Sequence, residues 1–213
     1  MDVAQILPRP SERALFLGAT GTGKTTLAIS LIRLVRFHVP IHILDIKGDE
    51  ALELPGAVVI ERARVYETVD APVKVYQPEP NELLNAKVLD EWLRRRYDEG
   101  GPSLTYIDEL LGLGIQQKPL PGLLALLTRG RSRGTALWAT TQRPAWVSRY
   151  VFSEIQHFYI FSLTDLRDRR RVAEFTYPSV IEPLREKHSF FYYRVGGECP
   201  RILKLQKGGR AVV

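Results

Sequence analysis

The chain is poor in sulfur and imidazole: one cysteine (Cys199), one methionine and four scattered histidines in all. A single thiol excludes an internal disulfide framework, and so few soft ligands leave little from which to build a metal cage. A reducing compartment suits that economy. No apolar run approaches the ~18 residues that a spanning helix requires, and the start Met1-Asp2-Val3 lacks a basic region followed by an apolar stretch. The expectation is a soluble, unprocessed chain with no membrane span. Repeats and low-complexity stretches are also missing, which excludes solenoids and collagen-like chains.

What is present is an ordinary globular mixture of 45% hydrophobic and 25% charged residues over 213 positions. That length fits one domain, 1–213, with a sizeable core and no room for two large lobes. Lys and Arg number 30 against 24 Asp and Glu, a net charge of +6 that favours a polyanionic partner without naming one.

Apolar periodicity predicts alternating strands and helices. Strands are expected at Arg13 to Leu17, Ile41 to Leu44 ending on Asp45, Val58 to Ile60, Val73 to Tyr76, Leu104 to Ile107, Thr135 to Thr140 and His157 to Leu163. Helices are expected from Lys24 to Phe37, from Pro80-Asn81 down to Tyr97, from Leu123 to Leu127 and from Asp165 to Phe175. Ser189 to Val195 and Arg201 to Leu205 read as a terminal hairpin across Gly196-Gly197, with a loose tail from Gly208 to Val213. The alternation predicts an α/β layered fold with a mostly parallel central sheet.

Between the first strand and first helix lies Gly18-Ala19-Thr20-Gly21-Thr22-Gly23-Lys24-Thr25, a P-loop pattern in the context that pattern demands. Glycines allow the backbone to turn its amides onto an anion, and the helix beginning near Lys24 adds its positive end. Lys24 can reach the outer phosphates and Thr25 offers a hydroxyl to Mg²⁺. Gly21 and Gly23 with Asp45 some twenty positions on could also suggest a dinucleotide site, but Thr26 stands where the third glycine is needed.

The strand Leu104 to Ile107 ends in Asp108-Glu109. Asp108 is the candidate metal-side carboxylate and Glu109 the candidate general base for a water nucleophile, which points to an ATPase rather than a small-molecule kinase. Gln142, at the tip of a strand expected beside the P-loop strand, is a candidate γ-phosphate sensor. Arg129, Arg131 and Arg133 are candidates for a finger that reaches a neighbouring subunit's nucleotide, or else cations decorating a helix C-terminus. Gly130-Arg131-Ser132-Arg133-Gly134 also spells a serine-hydrolase elbow, with Asp165 and His188 in chain order; an elbow needs strand before helix, and here the order is reversed.

Taken together these residues resemble the FtsK/HerA superfamily of DNA-pumping ATPases, and within it the compact genome-packaging ATPases of double-stranded DNA viruses with internal membranes. The resemblance rests on Gly18 to Thr25, on Asp45-Ile46-Lys47-Gly48-Asp49-Glu50, on Asp108-Glu109, and on Arg129 to Arg133 running into Ala139-Thr140-Thr141-Gln142-Arg143-Pro144. It implies a RecA-like core that binds ATP and Mg²⁺ through Gly18, Ala19, Thr20, Gly21, Thr22, Gly23, Lys24, Thr25 and Thr26. It further implies a homo-oligomeric ring, pentamer or hexamer, with ATP between subunits, Gln142 as sensor and an arginine finger from Arg129 to Arg133. Double-stranded DNA is the implied partner, with capsid vertex or membrane-anchored portal proteins beside it. Such a motor works in the host cytoplasm or at the virion vertex. A helicase, recombination or conjugation motor on the same core is the related reading, and a hydrolase using Ser132 the unrelated one.

Three further expectations concern surroundings. The loop Leu111 to Pro121, with Gly112, Gly114 and Lys118, is placed to couple hydrolysis to DNA. Arg94 to Arg96 and Arg169 to Arg171 read as solvated faces or subunit contacts. His38 and His42 read as turn residues beside Pro40, and Trp92, Trp138 and Trp146 as core.

Overall fold

A computed structural model describes residues 3–36, 38–48, 52, 54–113, 118–206 and 211–212. Its centre is a ten-stranded sheet in the order β10-β9-β8-β7-β1-β6-β5-β2-β4-β3. The strands are β1 (Ala14–Leu17), β2 (Ile41–Asp45), β3 (Val58–Ile60), β4 (Val73–Tyr76), β5 (Ser103–Asp108), β6 (Thr135–Thr141), β7 (His157–Phe161), β8 (Ser189–Arg194), β9 (Arg201–Leu205) and β10 (Ala211–Val212). Strands β1 to β7 pair in parallel, whereas β8, β9 and β10 run antiparallel along one edge.

Parallel strands covered on both faces are shielded along their whole length, and β1, β2, β5, β6 and β7 are buried at every position. In β1, Leu15 and Leu17 belong to one core and Ala14 and Phe16 to the other; β7 alternates likewise, with Phe158 and Ile160 opposed to Tyr159 and Phe161. Helix α1 (Lys24–Val35) covers the Phe16 face through Leu27, Ala28, Leu31 and Ile32. On the other face, α4 (Ala86–Glu99) and α5 (Pro121–Arg129) contribute Leu89, Trp92, Leu93, Leu123, Leu126 and Leu127. Shorter helices are α2 (Ala63–Tyr66), α3 (Pro80–Leu83), α6 (Arg149–Ser153) and α7 (Leu166–Ala173).

Several expectations are corrected. The stretch from Pro80 to Tyr97 is two helices, because Asn85 leaves the helix and its side chain accepts from Lys87 N at 3.1 Å as the cap of α4. The tail is not wholly loose: Ala211 and Val212 pair with Leu205 and Lys204, while 207–210 and 213 lie outside the described residues. His42 sits inside β2 rather than in a turn, and Trp146 is 45% exposed rather than core. Trp92 and Trp138 are buried as expected.

Arg96 is also buried, not solvated. Its guanidinium donates to Glu67 at 2.7 Å and Glu99 at 2.8 Å and lies over the faces of Tyr66 and Trp92. Another of its nitrogens lies 3.2 Å from His42 Nδ1, which the Tyr66 hydroxyl also approaches at 2.7 Å. Since arginine only donates, this Nδ1 is an acceptor and the ring is neutral. Burial, reinforced by Arg96, takes the His42 pKa down to about 3.

Helices α4 and α5 touch where Gly122 lies against the α4 backbone, and Gly122 N donates to Asp90 Oδ1 at 2.6 Å. A Cβ at that position would come within 2.7 Å of Asp90 O and Arg94 N, which are backbone atoms that cannot step aside. Gly122→Ala is therefore expected to destabilise the fold by ~1–3 kcal/mol through overpacking. Urea denaturation checks this, and an unmoved midpoint would contradict the packing described.

Candidate functional site

The C-terminal ends of β1, β5, β6 and β2 finish at one edge of the sheet. Parallel pairing sets Leu17 beside Thr141 and Asp45 beside Asp108, so the loops after these strands emerge together. Crevices at such ends are the ordinary ligand sites of α/β sheets.

The P-loop leaves β1 anchored on both sides, Gly18 N donating to Thr141 O and Ala19 N to Ser162 O. It turns into α1 at Gly23, whose φ of 109° lies in the left-handed region that glycine tolerates. Gly23 has no side chain with which to cap α1, so the first-turn amides carry their positive end toward the loop. Thr22 Oγ1 and Lys24 Nζ both donate to Ala19 O, at 2.7 and 2.8 Å. Thr20 Oγ1 donates to Gln142 Oε1 at 2.7 Å, which brings the expected sensor into contact with the loop. Thr25 is half-buried and Thr26 exposed.

Asp108 and Glu109 close the other side. Asp108 is fully buried; its Oδ1 accepts from Thr140 Oγ1 at 3.1 Å and Tyr106 OH at 3.2 Å. Its Oδ2 accepts no hydrogen bond and faces the Lys47 ammonium at 3.5 Å. Glu109 adopts φ 80°, an unfavourable region for a side chain of this size that costs ~1–3 kcal/mol and occurs mainly where function over-determines the backbone. Its N–H donates to Thr140 Oγ1 at 2.9 Å, so one threonine links both acidic residues to β6. Glu109 Oε2 lies 3.2 Å from Lys47 Nζ.

Two lysines thus oppose two buried carboxylates. Burial, with the Lys47 ammonium adding to it, lowers the Lys24 pKa to about 8 despite Glu109 and Asp108. Burial raises Asp108, against the opposing pull of Lys47 and the Thr140 hydrogen bond. A hard divalent cation seeks oxygen ligands. The Asp108 Oδ2, without a hydrogen bond of its own, fits Mg²⁺, and the Thr25 hydroxyl is the ligand type expected beside it.

Gln142 is held through the residues on its C-terminal side. Arg143 forms ion pairs with Asp165 at 2.9 Å and Asp168 at 3.0 Å and covers the ring of Trp146, while Asp168 accepts from Ala145 N. The start of α7 thereby clamps the turn that carries Gln142.

Arg129, Arg131 and Arg133 lie at the opposite edge, before β6 begins, remote from their own P-loop. Arg133 donates to the carbonyls of Tyr97 and Asp98 and covers the Tyr97 ring. Arg129 and Arg131 are exposed. Ser132, in a 3-10 turn, donates to Arg129 O, whereas His188 meets Thr22 O across the sheet and Asp165 is engaged by Arg143 and Arg167. The hydrolase triad is not assembled. Lys118 is exposed, and Gly114 lies outside the described residues.

Lys47 and Thr140 have no role legible in the sequence. Both lie within stretches that the motifs single out, but their convergence on Asp108-Glu109 depends on β2 and β6 flanking β5, which no local pattern encodes.

No family model matches the chain. Among curated proteins, DNA packaging ATPase P9 of Enterobacteria phage PRD1 is 33% identical over 205 residues, covering 89% of this chain and 85% of P9. Among solved structures, the genome packaging NTPase B204 of Sulfolobus turreted icosahedral virus 2, in complex with sulfate, superposes with a TM-score of 0.74 at 17% identity, covering 92% of this chain and 96% of B204. The pCW3 conjugation coupling protein TcpA, with ATPγS, superposes at 0.61 and 17% identity, over 91% of this chain and 59% of TcpA. The solved structures bear out the RecA-like P-loop fold, and P9 bears out the resemblance to viral genome-packaging ATPases. With 33% identity along nearly its whole length, the chain belongs to the family of DNA-packaging ATPases that includes P9.

Proposed function

We infer that this chain is an ATP-driven motor that packages DNA into a viral capsid. The observation that carries this is the convergence of the P-loop lysine Lys24 and the strand-end pair Asp108-Glu109 at one edge of the sheet, in a chain akin to P9.

In this reading the loop from Gly18 to Thr26 cradles the phosphates of ATP, Lys24 balances the outer two, and Gln142 senses the terminal one through its contact with Thr20. Thr25 and Asp108 hold Mg²⁺, which when bound neutralises phosphate charge. Glu109 withdraws the proton of the attacking water, its carboxylate positioned by the strained backbone and by Thr140. Duplex DNA is held through phosphates without base reading, since a translocating motor must not stall on sequence. The Arg129 to Arg133 edge lies too far from its own P-loop to serve it, which supports a homo-oligomeric ring, pentamer or hexamer, with the finger acting on the neighbour's ATP. Such a ring would sit at a capsid vertex, in the host cytoplasm during assembly, against capsid or membrane-anchored portal proteins.

ATP turnover measured with duplex DNA, single-stranded DNA and RNA across a salt series tests the function. Duplex should stimulate most and lose its effect as salt rises. In the same assay Lys24→Ala and Glu109→Gln should each abolish hydrolysis, with Glu109→Gln still holding nucleotide. Normal turnover in either variant would overturn the site assignment.

A pH profile probes the electrostatics. Lys24 is lowered to about 8 in the free protein, and bound phosphates favour its charged form, so ATP affinity should fall as pH climbs past that point. A flat binding profile there would show that the ammonium does not contribute.

Mixing addresses the finger. Subunits carrying Glu109→Gln, combined with subunits lacking one arginine, should recover part of the lost ATPase for Arg129 or Arg131. Arg133, held by the Tyr97 and Asp98 carbonyls, should not behave this way. No recovery with any of the three would remove the trans assignment.

A further inference from the structure

The end of the sheet remote from the P-loop carries a recess that nucleotide chemistry does not use. It has a volume of about 450 Å³ and lies where β7 begins, β8 ends and β9 begins, beside the segment that precedes β1. Pairing sets His157 opposite Arg194 and Tyr192 opposite Arg201. Residues opposed across a ladder share a face, as do alternate residues of one strand, so all four side chains stand on the same side of the sheet. The Tyr159 hydroxyl donates to Ile6 O, which pins the leading segment, with its Arg9 and Glu12, to that side.

The recess already holds one carboxylate. Glu12 Oε2 accepts from Arg9 N at 2.6 Å and lies 2.8 Å from His157 Nε2, while Glu12 Oε1 accepts from Arg194 at 3.0 Å. Burial opposes the ionisation of Glu12, but these hydrogen bonds and charges prevail and lower its pKa. Burial lowers the His157 pKa despite Glu12, so the ring is neutral. An ionised Glu12 only accepts, hence Nε2 carries the proton and Nδ1 accepts from the Tyr192 hydroxyl at 2.9 Å. Tyr192, His157, Glu12 and Arg194 thus satisfy one another. Two guanidiniums are left over: among the described residues neither Arg9 nor Arg201 has a carboxylate partner, and both are exposed. Arg201 lies over the Tyr192 ring, 5.0 Å from its centroid, which restrains it before any ligand arrives and reduces the entropy that binding must cost.

We propose that this recess is a docking site for an acidic segment of a partner protein, whose carboxylates are taken by Arg9 and Arg201. Two features favour an acidic peptide over a nucleic-acid backbone. The cations line a concavity, which a side chain enters and the convex surface of a duplex does not. Beside it the hairpin exposes apolar surface: Ile202, opposite Phe191 on the reverse face, is 55% exposed, and Val195 at the turn is 52% exposed. Arginine and tyrosine next to exposed aliphatic side chains match the composition of protein interfaces, whereas surfaces that bind nucleic acid are more polar and more uniformly basic. The recess lies at the far end of the sheet from the phosphate loop, so a docked partner leaves the nucleotide edge open, and the inference does not depend on the ATPase reading.

Fluorescence anisotropy on the full chain tests this with two labelled probes, the peptide Glu-Leu-Glu-Glu-Leu-Glu and a duplex DNA of random sequence. The double variant Arg9→Gln, Arg201→Gln is compared with Arg33→Gln, Arg64→Gln, which removes the same charge from exposed positions elsewhere. The recess variant should bind the peptide about tenfold more weakly than the charge-matched variant, the scale of losing charge-assisted contacts, while the two bind DNA alike. Equal peptide affinity in the two double variants would show attraction to net charge alone and overturn the proposal. So would DNA binding that weakens in the recess variant only, which assigns the recess to nucleic acid or to anions at large. An unsubstituted chain that fails to bind the peptide at millimolar concentration would overturn it as well.

Discussion

The parallel register of β2, β5, β6 and β1 is the constraint on which the remaining structure depends. These strands are buried at every position, so burial alone says little about where each must stop. Their ends decide it: Asp45, Asp108 and Thr141 all fall at the edge where the chain turns away from the sheet. A slip along the ladder would draw a carboxylate between apolar layers, at a penalty far larger than the loss of one apolar contact. The same polar ends that terminate the strands therefore also pin the register, and the pocket is assembled as a by-product of satisfying them.

Within that edge, charge is balanced before any ligand enters. Lys24 and Lys47 oppose Asp108 and Glu109 in a space where an unpaired charge would be expensive, and Thr140 links the acidic pair to a third strand. The left-handed backbone of Glu109 is tolerable because Thr140 accepts its N–H and Lys47 holds its carboxylate. Local strain and local charge pairing sustain each other here, which is a common way for a reactive geometry to be held ready.

Much of this is legible in the sequence. Apolar runs broken by glycine and proline locate the strands, and the P-loop and Asp108-Glu109 stand out because their residue types and their position at strand ends are jointly demanding. What stays hidden shares one physical character: it depends on neighbours distant in the chain. Arg96 reads as one of three exposed cations, yet it is buried because Glu67, Glu99 and two aromatic faces surround it. His42 reads as a turn residue because Pro40 lies nearby, and only the strand pairing shows that it faces Tyr66 and Arg96. Asn85 conceals a helix break because the apolar stripe runs across it without interruption. Lys47 belongs to a recognisable strand-end segment but its pairing with Asp108 and Glu109 is not written there, since nothing local reveals that β2 lies beside β5.

Trp146 belongs to the same group of surprises. Of the three tryptophans, Trp92 and Trp138 are enclosed by the two cores, whereas Trp146 is exposed and lies under the Arg143 guanidinium, on the turn that carries Gln142. The molecule thus bears an indole whose emission is separable from the other two by aqueous quenchers. That indole gives an optical report on the turn that carries Gln142 without any added dye.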